Sequence, residues 1–196
     1  MKKIITACCL GGLLFAAVSA DMKKNLDGTG LQTAYVLSAQ LLPGQAPALD
    51  GKIGEQEWSK AAKISGFCFY PVGRGMVDEA KGEVYLAGDT EYLYIGVRTS
   101  TPNMDPGGGL AAFATEHDGA VYNDDSVEVA IQNPADPDKV YHLIVNRRGT
   151  VFDRIMSRQT LSKDVGFNFK GLKIGTQAQS GIWDLEIAIP LSELGG

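Results

Sequence analysis

The chain is predicted to be all-β, an antiparallel β-sandwich of jelly-roll or immunoglobulin-like type. Three observations predict this. Short runs alternate apolar and polar residues, turn residues punctuate them, and almost no stretch has helical periodicity. The clearest run is Ser126-Val127-Glu128-Val129-Ala130-Ile131-Gln132, where Val127, Val129 and Ile131 take one face. Successive side chains of a strand point in opposite directions, so Ser126, Glu128, Ala130 and Gln132 take the other.

Residues 1–20 have the pattern of a secretory leader. Lys2 and Lys3 make a basic start, Ile4 to Val18 an apolar stretch, and Val18-Ser19-Ala20 a small-residue cleavage site. Cys8 and Cys9 lie too early for a lipoprotein anchor, and the stretch is too short for a membrane span. Residues 21–34, with Asp-Gly-Thr-Gly, read as a linker, and the domain is expected over 35–196.

Within the domain, Tyr35-Val36-Leu37 is the first extended run. Glu55 to Ala62 is expected to form a short helical turn that places Trp58 inward. Lys81–Leu86 and Tyr92–Thr99 alternate as strands around the turn Gly88-Asp89-Thr90-Glu91. Thr101–Asp118 is a glycine- and proline-bearing loop. Asn133-Pro134-Ala135-Asp136-Pro137-Asp138 ends the Ser126 strand, because proline cannot donate to a ladder. Tyr141–Asn146, Thr150–Ile155, Phe169–Thr176 and Ile182–Ile189 complete the series. Pro190-Leu191-Ser192-Glu193-Leu194 is a turn leading onward, so the sandwich is expected to lack its last strand or strands and to be linked to a downstream domain.

Removal of Lys2 and Lys3 with the leader takes the formal charge from −5 to −7. So acidic a domain has no basis for gripping nucleic acid through phosphates. Of the three cysteines only Cys68 lies outside the leader, so no intrachain disulfide is expected despite an oxidising destination.

Candidate chemistry gathers on the Tyr122–Gly149 hairpin. Glu128, His142 and Asn146 share its polar face beside Tyr122. Carboxylate, imidazole and amide next to a tyrosine suit a neutral, hydroxyl-rich ligand, hence a poly- or oligosaccharide. Arg98, on a face with Tyr92 and Tyr94, extends the candidate set. Trp183 alternates with Leu185, Ile187 and Ile189, so it and Trp58 are read as core. Asp124 and Asp125 are candidate metal ligands. Adjacent strand residues face opposite ways, so these two carboxylates cannot flank one glycosidic bond. No nucleophile-and-base set, zinc spacing or phosphate loop is present, and the segment is not expected to be an enzyme.

Three segments in order, LDGKIGEQEW (Leu49–Trp58), DTEYLYIGV (Asp89–Val97) with NDDSVEVAI (Asn123–Ile131), and GIWDLEIAIPLSEL (Gly181–Leu194), resemble the family 9-like carbohydrate-binding modules, a DOMON-like fold. The resemblance implies a secreted, periplasmic or extracellular β-sandwich, usually calcium-bearing, that holds sugars between aromatic side chains. It implies that Tyr122 is one aromatic wall, that Glu128 bonds sugar hydroxyls, and that Asn146 is the family's strand asparagine. The family's arginine aligns with Ile144, and its second aromatic wall falls beyond Gly196. A parent glycoside hydrolase or other glycan-processing protein is implied. Related sandwiches bind haem, for which His142, His117, Met104 and Met156 are the available ligands, although the C-x-x-C-H attachment motif is missing. A structural spacer is the remaining alternative.

Overall fold

A computed structural model describes residues 6–9, 40–41, 46–65, 81–100, 112–132, 135–157, 159–160 and 163–195. Tyr35–Leu37, Cys68 and Met104 lie outside these residues, as do the linker, most of the expected leader and the first part of the Thr101–Asp118 loop. The described strands are β1 (Thr6–Cys9), β2 (Gln40–Leu41), β3 (Ala62–Ser65), β4 (Lys81–Gly88), β5 (Tyr92–Ser100), β6 (Ser126–Gln132), β7 (Lys139–Asn146), β8 (Val151–Ser157), β9 (Lys163–Asp164), β10 (Lys173–Gln179) and β11 (Ile182–Pro190).

They form two sheets, one ordered β1-β6-β7-β8-β9 and the other β10-β11-β5-β4-β2, with β3 also paired to β4. Pairing is antiparallel except for two short parallel additions, β1 beside β6 and β2 beside β4. This is the expected β-sandwich. The strand placed at Phe169–Thr176 begins only at Lys173. Phe169 is instead buried against Tyr141 and Phe167, and the Glu193 carboxylate takes the N–H groups of Lys170 and Gly171, so this stretch has no strand partner to bond. The expected helical turn is a single turn, closed by the Trp58 N–H on Gly54 O.

The core lies between the sheets and follows the alternation. Val127, Val129 and Ile131 of β6 and Tyr141, Leu143 and Val145 of β7 meet Ile95 and Val97 of β5 and Trp183, Leu185, Ile187 and Ile189 of β11. Trp183 sits here with its indole N–H on Thr176 Oγ1 at 2.8 Å.

The other face of β11 carries Asp184 and Glu186, and the Leu49–Trp58 segment lies over it. Glu186 is 0% exposed and accepts the Gly51 N–H at 2.8 Å, the Lys52 N–H at 3.2 Å and the Trp58 indole N–H at 3.0 Å. Trp58 then packs with Ile53, Tyr94, Ala87 and Ala188 as a second small core. The approach is close. Gly51 has φ +82°, and a Cβ there would meet the Thr176 carbonyl carbon at 2.5 Å, so only glycine fits.

Burial raises the Glu186 carboxyl to about 7 against the Trp58 and Gly51 donors. A folded value above the ordinary 4.5 means that the stability contributed by this group is complete below about 4.5 and is lost as pH rises through 7. Melting temperatures taken from pH 4.5 to 8 should therefore fall with pH more steeply in the wild type than in Glu186→Gln. Equal slopes would show that Glu186 does not titrate in that window.

Candidate functional site

The outward face of the β6-β7-β8 sheet holds a depression of about 270 Å³, lined by Tyr122, Ser126, Glu128, His142, Ile144, Phe152 and Arg154. Its size is at the lower end for small-molecule pockets, enough for a ring-sized ligand. Register assembles it: Glu128 lies opposite Ile144, Ile144 opposite Phe152, and His142 opposite Arg154. The floor is apolar, Ile144 and Phe152 packing with Val121. Tyr122, on the short 3-10 turn Val121–Asn123, stands edge-on to Phe152 at 5.8 Å between centroids and remains 54% exposed.

The polar groups form a relay. Arg154 Nε donates to His142 Nδ1 at 2.9 Å, and His142 Nε2 bonds Glu128 Oε1. An arginine N–H only donates, so Nδ1 must be the acceptor and the imidazole proton resides on Nε2, directed at Glu128. That His142 bond, helped by the charge of Arg154, holds the Glu128 carboxyl below its ordinary value against the opposing effect of burial. The guanidinium of Arg154 also lies 5.4 Å over the Phe152 ring. An ionised acceptor and a cationic donor thus flank an aromatic edge.

The expected residues divide. Tyr122, Glu128 and His142 come together in the depression. Asn146 shares their parity but is 0% exposed and does not line it. Its Nδ2 donates to Ala114 O at 3.0 Å and Asp124 Oδ2 at 2.8 Å, while its Oδ1 accepts the N–H groups of Arg148 and Thr150. Arg98 belongs to the other sheet, where it forks onto Asp184 at 2.8 and 2.7 Å and bonds Ile53 O. Tyr94 is buried beside Trp58 and its hydroxyl donates to Asp89, so no aromatic platform extends from it. Arg154 and Phe152 were missed. Their signal was the alternation of Val151-Phe152-Asp153-Arg154, which gains meaning only once β8 is registered against His142.

Asp124 does not fit a calcium ligand. Its oxygens accept the Phe113 N–H at 2.9 Å, the Ala114 N–H at 3.0 Å and the Asn146 amide, and such donors repel a cation. Asp125 is half-buried and next in sequence. Elsewhere among the described residues, His117, Asp118 and Asp153 converge, with His117 Nε2 2.8 Å from Asp153 Oδ1. An imidazole with two carboxylates departs from the all-oxygen set that calcium takes. Haem finds no axial nitrogen on His142, both of whose ring nitrogens are engaged.

Neither a family model nor a curated protein matches the sequence. Solved structures do. A family 9 carbohydrate-binding module from Caldicellulosiruptor kristjanssonii in complex with cellotriose is 16% identical, with TM-score 0.52 over 79% of this chain and 67% of that one. The fold is that of a family 9 carbohydrate-binding module. The same kind of module from that organism in complex with glucose gives TM-score 0.51 at 16% identity, over 79% of this chain and 68% of that one. A candidate carbohydrate-binding protein from Bacteroides uniformis gives 0.61 at 14% identity, over 81% of this chain and 74% of that one.

Burial alone would raise the Asp124 carboxyl, but the Phe113, Asn146 and Ala114 donors together hold it below 3.8. The stability it contributes is present above about 3.8 and lost as pH falls through its lower folded value. Acid unfolding monitored by circular dichroism should be shallower in Asp124→Asn than in the wild type. Asn146→Ala, which orphans several buried partners, should cost about 2–4 kcal/mol in a denaturant melt.

Proposed function

We propose that this domain is a non-catalytic carbohydrate-binding module that tethers a secreted glycan-processing protein to its polysaccharide. The observation that carries the reading is the depression itself, where an ionised Glu128 and a cationic Arg154 flank the exposed Tyr122. Sugars present hydroxyls that both donate and accept around a ring with an apolar C–H face. Glu128 accepts from such hydroxyls, Arg154 donates to them, and Tyr122 covers the face. The cellotriose- and glucose-bound modules of the same fold support this reading. The leader-like pattern of residues 1–20 supports export to the periplasm or outside the cell, with loss of the β1 strand on cleavage, and N-terminal sequencing of the exported protein tests it.

Each hydrogen bond contributes about 0.5–1.5 kcal/mol net, so affinities should fall between micromolar and millimolar. Glu128→Ala should weaken sugar binding about tenfold to a hundredfold in calorimetric titration, since bonds to charged groups are worth roughly 1.5–3 kcal/mol. The same change leaves the buried His142 N–H without its acceptor. Glu128→Gln retains one and separates lost affinity from lost stability. Unchanged binding by both folded variants, or no retention of the wild type on any glycan, would overturn the reading.

A further inference from the structure

Phe113 is 84% exposed, the most exposed of the large apolar side chains among the described residues. It sits in an extended stretch in which Ala112 is buried, Ala114 packs toward Val121, Ile144 and Phe152, and Thr115 faces outward. Through Ala114 the segment rests against the same apolar cluster that floors the depression, while the Phe113 ring is exposed to solvent. A lone exposed phenylalanine is ordinary on a protein surface. This one differs in how firmly its backbone is held.

Main-chain groups on either side of Phe113 are held by side chains of one polar cluster. Asp124 accepts the N–H groups of Phe113 at 2.9 Å and Ala114 at 3.0 Å. Ala114 O accepts from Asn146 Nδ2 at 3.0 Å and Thr150 Oγ1 at 2.9 Å, and Ala112 O accepts from Arg148 Nε at 2.7 Å. Asp124 also follows directly on the turn that carries Tyr122. One polar cluster thus fastens the Phe113 main chain to the residue that follows the Tyr122 turn. A backbone held in advance leaves only side-chain freedom to be lost when a ligand covers the ring, which favours binding over a casual surface residue.

Resting on the carbohydrate reading of the depression, we propose that Phe113 is a second sugar-contacting aromatic. It stacks on one residue of an oligosaccharide whose neighbouring residue sits against Tyr122. The ligand is then a chain of at least two sugars, and Asp124 and Asn146 are positioning residues that touch no sugar.

The test is calorimetric titration of wild type, Phe113→Ala and Tyr122→Ala with glucose, xylose and mannose and with their trisaccharides, cellotriose, xylotriose and mannotriose. For whichever sugar binds, Phe113→Ala should lower trisaccharide affinity about two- to tenfold and leave the monosaccharide unchanged. Tyr122→Ala should weaken both. The melting temperature of Phe113→Ala should match the wild type, since the ring is already in water. Wild-type binding with an unaltered Phe113→Ala titration overturns the proposal alone. A wild type that binds none of the six sugars overturns it together with the carbohydrate reading.

Discussion

The buried carboxylate of Glu186 is the constraint on which the six-stranded half of the molecule depends. It lies on the outward face of a central strand, between β10 and β5, where water would otherwise reach it. Its acceptor capacity is met by Gly51, Lys52 and Trp58, all from one segment. Asp184, two residues earlier on the same face, takes the Ile53 N–H at 3.0 Å and the Arg98 fork. An unpaired buried carboxylate would be far costlier than the few kcal/mol by which a domain is stable. The Leu49–Trp58 segment is therefore held down wherever the strand is formed. This also explains why the first and last of the three family-like segments occur together, since each supplies what the other leaves unsatisfied.

The five-stranded sheet solves the same problem with Asp124 and Asn146. Both are buried and fully engaged with the backbone of the crossing segment. This frees the neighbouring face, where Glu128 and Arg154 retain hydrogen-bonding capacity toward solvent. The two sheets thus use acidic residues in opposite ways. On one they fasten a covering layer, and on the other they leave a gap in it.

The periodic features were legible in the sequence because alternation fixes which residues share a face. It placed Val127, Val129 and Ile131 inside and put Glu128 with His142 outside, as the registered strands have them. Alternation says nothing about which sheet a face belongs to, and Arg98 shows the cost: its parity was right, but its strand lies in the other sheet. Nor does it reveal a loop crossing the face, which is why Asn146, placed on the polar face with Glu128, is buried beneath that loop rather than lining the depression. Arg154 needed the β7–β8 register, and Phe113 sits in a stretch rich in glycine and alanine where no period exists to read.

The Gly51–Glu186 bond spans 135 residues, and its geometry sets an order of events. β4 and β5 can pair as soon as they are made, yet the outer neighbour of β5 is β11, more than eighty residues later. Contacts so distant in sequence make closure slow, because the entropy of joining the chain ends is lost before any bond is gained. Until β11 arrives, β5 has one edge unpaired, and the Leu49–Trp58 segment has no carboxylate to dock on. Such a domain cannot close until β11 has been made, and the Leu49–Trp58 motif is among the last parts to settle.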